Sequence, residues 1–141
     1  MATRYFALIF GIIYALIGIL GFVPAALQPL PATAPHVAVD SFHGYLFGLF
    51  PVNAIHSLFH LAVGLWGIYA YRSFGNSRLY ARSLAIIFGI LAIMGLIPGL
   101  NTFFRLIPLY GHDIWLHAAT ALIAAYFGYR REVEEHVAPA R

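Results

Sequence analysis

Cysteine and lysine are both missing from this 141-residue chain, and charge of either sign is scarce. Without cysteine there can be no disulfide, no thiolate nucleophile, no Cys-type zinc site and no C-x-x-C-H haem attachment. Any metal must sit on nitrogen and oxygen. Charged residues are 9% of the chain, against roughly 25% in a soluble domain. A water-facing fold needs more, and the 62% apolar content with a mean hydropathy of +0.82 points to lipid as the solvent. The net charge of +3 comes from arginines that flank apolar runs and form no nucleic-acid patch. The length allows a single domain, 1–141.

Four apolar runs organise the chain, at about 5–27, 50–71, 83–101 and 109–129. The first exceeds the roughly 20 residues that cross a bilayer core. It is also longer than a signal-peptide core of about 7–15 residues. Pro35 directly follows the cleavage-like Ala32-Thr33-Ala34, so the helix is read as retained. Pro24, Pro29, Pro31 and Pro35 break the helix into an outer loop, 28–49. Arg72–Arg82 forms a polar link, and 131–141 is a polar tail expected to fray. Arg4, Arg72, Arg78, Arg82, Arg130 and Arg131 fall on one side of the membrane, and only Arg105 on the other. The positive-inside rule then puts both termini in the cytoplasm.

An internal repeat runs through these helices. Ile9-Phe10-Gly11-Ile12 returns as Ile87-Phe88-Gly89-Ile90, and Gly21-Phe22-Val23-Pro24 as Gly95-Leu96-Ile97-Pro98. Helices two and four align without a gap, pairing Pro51 with Pro108, His56 with Asp113 and His60 with His117. Each half crosses twice, so the halves are parallel repeats about an axis along the membrane normal. The expected fold is all-α: an integral membrane four-helix bundle built from two parallel two-helix repeats.

Asn53, His56, His60, Gly64 and Gly67 form one stripe on helix two, and Tyr110, Asp113, His117, Ala121 and Ala124 its counterpart on helix four. Both stripes are polar outside and small inside, which allows close approach, as Gly11, Gly18, Gly21 and Gly89 do elsewhere. His60 and His117 would lie about 13 Å past Pro51 and Pro108 at 1.5 Å per residue. An ionisable group at such depth costs at least about 2.5–3.5 kcal/mol and needs a partner. Residues four apart project their ligands to one side of a helix, as in helical zinc sites. His56, His60, His117 and Asp113 can therefore hold a divalent ion, zinc or copper. Asn53 and Tyr110 are placed to orient ligands, and His43 in the outer loop to cap the site.

Two other readings compete. Haem b could take His60 and His117 as axial ligands, with Gly64 and Ala121 making room, but this leaves His56 and Asp113 unexplained. Alternatively the polar groups simply hydrogen-bond across helices. His112 points away from the stripe, and His36 and His136 carry no signal. Phe103, Phe104, Tyr110 and Trp115 suit an interfacial aromatic belt.

Asn53-Ala-Ile-His56-Ser-Leu-Phe-His60-Leu-Ala-Val-Gly64, followed by His112-Asp113-Ile-Trp-Leu-His117, resembles the bacterial membrane family called domain of unknown function 4383. Ala15-Leu16-Ile17-Gly18-Ile19-Leu20-Gly21-Phe22-Val23-Pro24 is similar to its first helix, and the likeness covers about residues 5–129. It implies a four-helix protein of a bacterial inner or thylakoid membrane and carries no activity. Three functional classes follow: a metal or haem protein for metal handling, sensing or redox, a small metal-dependent hydrolase or oxidase acting on lipid, and a structural subunit of a larger complex. The lipid bilayer is the expected partner, with self-association or a larger membrane assembly beside it.

Overall fold

The computed structural model describes residues 1–131. Four helices carry the fold: α1 (Ala2–Leu20), α2 (Ala54–Ala70), α3 (Phe74–Leu96) and α4 (His112–Tyr129). α1 packs against α2 and α3 against α4 as two close antiparallel hairpins, joined mainly along α1 and α3. Their common core holds Phe6, Tyr14, Val63, Tyr80, Leu84 and Phe88.

Glycine sets the spacing of the first hairpin. A Cβ on Gly11 would lie 2.6 Å from the Ile68 backbone nitrogen, and one on Gly67 would lie 2.7 Å from the Ala7 carbonyl. A Cβ on Gly64 would run into the Ala15 backbone. Only hydrogen fits there, which is how small residues let two helices touch backbone to backbone.

The helix limits depart from the sequence expectation for local reasons. α1 stops at Leu20, and Pro24 opens a short 3-10 turn, so 5–27 is not one helix. α3 starts at Phe74 instead of 83, because Ser73 caps it by accepting from the Asn76 amide at 3.2 Å. The turns that follow bury Ser77, Tyr80 and Ala81. α3 ends at Leu96, before Pro98, and α4 begins at His112 beyond Pro108. Most of the tail, 132–141, lies outside the described residues, and His136 with it.

The outer segment is more ordered than a loop. Leu27–Gln28 (β1), Gly44–Leu46 (β2) and Phe50–Val52 (β3) make a three-stranded antiparallel sheet in the order β1-β2-β3. Leu46 pairs with Leu27 on one side and Phe50 on the other. Because 50–52 is strand, α2 begins late and His60 lies only about 9 Å along it at 1.5 Å per residue. The 13 Å expectation, counted from Pro51 as helix, does not apply, since 50–52 is extended.

At the opposite end, arginines close the helix C-termini. Arg4 Nε donates to the Tyr71 carbonyl at 2.8 Å, and Arg82 Nε to the Gly128 carbonyl at 2.9 Å. These bonds satisfy carbonyls left open by the last turns of α2 and α4. Arg4 also stacks over Tyr71 and Arg82 over Tyr129.

Large apolar side chains are exposed on every helix, and several polar ones are buried. Ile9 and Leu16, Leu58 and Leu65, Ile86 and Ile93, and Leu122 and Tyr126 are exposed, one pair on each helix. Thr3, Ser57, Ser77, Thr120 and the histidine cluster are buried. α1 and α3 are long and apolar enough to cross a membrane, and α2 is a shorter apolar helix. The hairpin packing makes one strong expectation. Gly64→Leu should abolish the folded, monodisperse protein, whereas Gly75→Ala, at an open helical position, should stay within about 1 kcal/mol of wild type. Size-exclusion profiles and thermal unfolding of both variants check this.

Candidate metal centre

α2 and α4 contribute their first turns to the site. Asn53 caps α2, its Oδ1 accepting from the His56 amide at 3.0 Å, which fixes His56 in the first turn and His60 one turn below. In α4, Asp113 sits in the first turn, where the helix dipole favours a carboxylate, and His117 follows one turn later. His56, His60, Asp113 and His117 are each no more than 1% exposed.

The four groups converge. One ring nitrogen from each of His56, His60 and His117 lies within 4.8 Å of the others. Asp113 Oδ2 is 3.5 Å from His56 Nε2 and 3.6 Å from His117 Nε2. The ring nitrogens of His60 and His117 and the Asp113 oxygens make no full hydrogen bond within the protein, and His56 has the Pro51 backbone beside it. Buried polar atoms are nearly always paired, so a set of under-satisfied side chains at one point is where a ligand would fit.

The spacing suits a small cation. Bonds of about 2.0–2.1 Å to nitrogen and oxygen give tetrahedral ligand–ligand edges of about 3.3 Å. The two carboxylate–imidazole distances are close to that edge. The imidazoles stand wider apart, and ring rotation would close the remainder. Asp113 meets two of the three histidines, the position from which a carboxylate could act as a fourth ligand or orient the rings.

Aromatic residues floor the site. Tyr14 lies 5.2 Å from the His60 ring and Phe88 5.1 Å from the His117 ring, centroid to centroid. The Tyr14 hydroxyl shares a 2.6 Å hydrogen bond with Thr120 Oγ1, tying α1 to α4 just beneath the histidines. Sequence reasoning passed over both. Thr120 stands three residues past His117 on the same face, and Tyr14 is a polar atom in an otherwise apolar run, which were the available signals.

The supporting residues have distinct places. Asn53 Nδ2 donates to the Val39 carbonyl at 3.0 Å and the Leu106 carbonyl at 2.7 Å, so one buried carboxamide pins both outer loops over the site. Tyr110 is buried with an unpaired hydroxyl. Burial, with Tyr45 and Asp113 nearby, pushes its phenol up to about 12. His43 is not among the converging histidines of the described residues. Partial burial holds its imidazole below the ordinary histidine range although Asp40 is close. His112 is exposed and accepts from Trp115 Nε1 at 2.8 Å, away from the cluster.

Residues 4–130 match the family model described as Domain of unknown function (DUF4383). The chain belongs to this family. No curated protein and no solved structure matches it. Within this family member, then, the site is defined by its own geometry. If Asn53 is the clamp described, Asn53→Ala loses the helix cap and both loop tethers. Loss of the cap alone should cost about 1–2 kcal/mol, read as a lowered unfolding midpoint.

Proposed function

We propose that this protein is a multi-pass membrane protein that binds a divalent transition metal ion through His56, His60 and His117, with Asp113 completing or orienting the site. The observation that carries the reading is the convergence of three buried imidazoles and a carboxylate at one point. Zinc and copper both suit such a nitrogen and oxygen set. A hydrogen-bonded core is the competing reading, and against it the Asp113–imidazole contacts of 3.5 and 3.6 Å are longer than good hydrogen bonds.

Haem is a weaker fit to the same residues. Gly64 offers no room for a macrocycle, since the Ala15 backbone already occupies its open side. Tyr14 and Phe88 pack directly on the His60 and His117 rings. A small ion needs no such space.

The membrane reading is supported by the apolar exposed faces on all four helices and by the polar groups kept inside the bundle. Clustering of Arg4, Arg72, Arg78 and Arg82 at one end, against Arg105 in the other loop, favours cytoplasmic termini. The duplicated architecture also has support in paired contacts. Arg4 holds the Tyr71 carbonyl as Arg82 holds that of Gly128, and Gly11 faces Gly64 as Gly89 faces Ala121. The alignment that matches Phe10 with Phe88 and His60 with His117 maps each contact onto its counterpart. The metal would then lie where the two halves meet, with metal handling, sensing or electron transfer as its role.

Elemental analysis by mass spectrometry tests the ion. Wild type should carry a stoichiometric transition metal that His60→Ala loses and His43→Ala keeps. Asp113→Asn should bind it about 10–100-fold more weakly. Absence of metal from wild type, or its retention in His60→Ala, would sink the reading. Orientation has its own check, because a fluorescent reporter that folds only in the cytoplasm should be bright when fused after Arg141. A dark fusion that is expressed and inserted overturns the orientation.

A further inference from the structure

At the end away from the histidines, the second hairpin carries one more arginine than closing its helix needs. In the first hairpin a single guanidinium suffices, Arg4 Nε donating to the Tyr71 carbonyl. In the second, Arg78 Nε and Arg82 Nε both donate to the Gly128 carbonyl, at 3.2 and 2.9 Å. Arg82 is the counterpart of Arg4 in the alignment that matches Phe10 with Phe88, so Arg78 is the addition. A helix C-terminus carries about half a negative charge, which cannot balance two cations side by side. Among the described residues neither arginine has an ion pair, and the acidic ones, Asp40 and Asp113, lie at the histidine end. We propose that Arg78 and Arg82 together bind the phosphate of an anionic phospholipid.

Geometry and surroundings select that ligand. Both guanidiniums spend Nε on the carbonyl, and their Nη groups make no hydrogen bond among the described residues. The Nη edge is the fork that grips a phosphate with two parallel N–H groups. Both side chains are half-buried, Arg78 standing over the Phe74 ring at 5.9 Å and Arg82 over the Tyr129 ring at 5.1 Å. Their positions are therefore held before a ligand arrives. A lipid suits the pair better than a free anion, because an apolar stripe leads away from it. Ile86, Ile90 and Ile93 follow Arg82 on one face of α3, and all three are exposed. Acyl chains lie along that stripe when the phosphate sits on the arginines. The net charge of the head group is selected as well. Arg130, over the Tyr126 ring at 5.3 Å, adds a third cation at this end, which opposes the ammonium of a zwitterionic lipid and favours an anionic one.

The inference rests on the membrane part of the proposed function and is independent of the metal. Native mass spectrometry of the full-length protein in detergent tests it, with phosphatidylglycerol, phosphatidylcholine and inorganic phosphate as titrants. One phosphatidylglycerol should bind saturably in preference to phosphatidylcholine, and inorganic phosphate should not displace it. Arg78→Gln should weaken that binding about tenfold, the worth of one hydrogen bond to a charged group. Arg82 still closes Gly128 in this variant, so the helix end is kept. Arg72→Gln removes an exposed arginine outside the pair and should leave the binding unchanged. Equal binding of the two lipids by wild type overturns the proposal without any variant. Unchanged binding in Arg78→Gln, or equal weakening in both variants, overturns the pair as the site. Displacement by inorganic phosphate overturns the lipid as its source. A chain recovered in the soluble fraction without detergent would defeat the membrane reading, and this one with it. A chain that stays in carbonate-washed membranes yet shows no lipid preference keeps that reading and defeats this one.

Discussion

The structure turns on unpaired polarity at the junction of two helix hairpins. Three imidazoles and a carboxylate meet in a fully buried cluster, and their hydrogen bonding within the protein is incomplete. Leaving a buried polar group unpaired costs about 1–3 kcal/mol, more when it is charged. Four together are difficult to reconcile with a purely structural role, and a bound cation would resolve them at once. The elements around them act to hold that convergence in place. Asn53 fixes the first turn of α2 and both outer loops, while Tyr14 and Thr120 brace α1 against α4 below.

Close packing makes the convergence possible. α1 and α2 approach until Gly11, Gly64 and Gly67 touch the facing backbone. That contact fixes the spacing of the α1–α2 hairpin, and α1 against α3 is the main seam joining it to the α3–α4 hairpin. α2 and α4 then meet chiefly through their polar side chains, not through backbone contact. A site formed between two rigid halves resists collapse, because closing the gap would mean repacking a glycine-lined interface. The end away from the histidines is held by arginines on terminal carbonyls.

Much of this was legible in the amino-acid sequence, and the remainder failed for identifiable reasons. Four helices and the grouping of His56, His60, Asp113 and His117 follow from helical periodicity, and the structure brings those residues together. Gly64 and Gly67, read from the same stripe as facing helix four, pack on α1 instead. Family membership was legible from the same motif. The sheet at 27–52 was not, because its strands are two or three residues long and lie among prolines that read as loop. The start of α3 was obscured by Arg78 and Arg82, which look like a polar link but extend to the carbonyl of Gly128. Tyr14 and Phe88 come from α1 and α3, and no spacing within one helix reveals that they floor a site built by two others.

X-ray absorption at the metal edge tests the central claim most directly, because it reports the ligands themselves. The account predicts nitrogen and oxygen scatterers at about 2.0–2.1 Å, with the outer-shell pattern of imidazole rings, and loss of that pattern in His60→Ala. A spectrum without imidazole scattering, or one unchanged in the variant, would place any bound metal elsewhere and contradict the account.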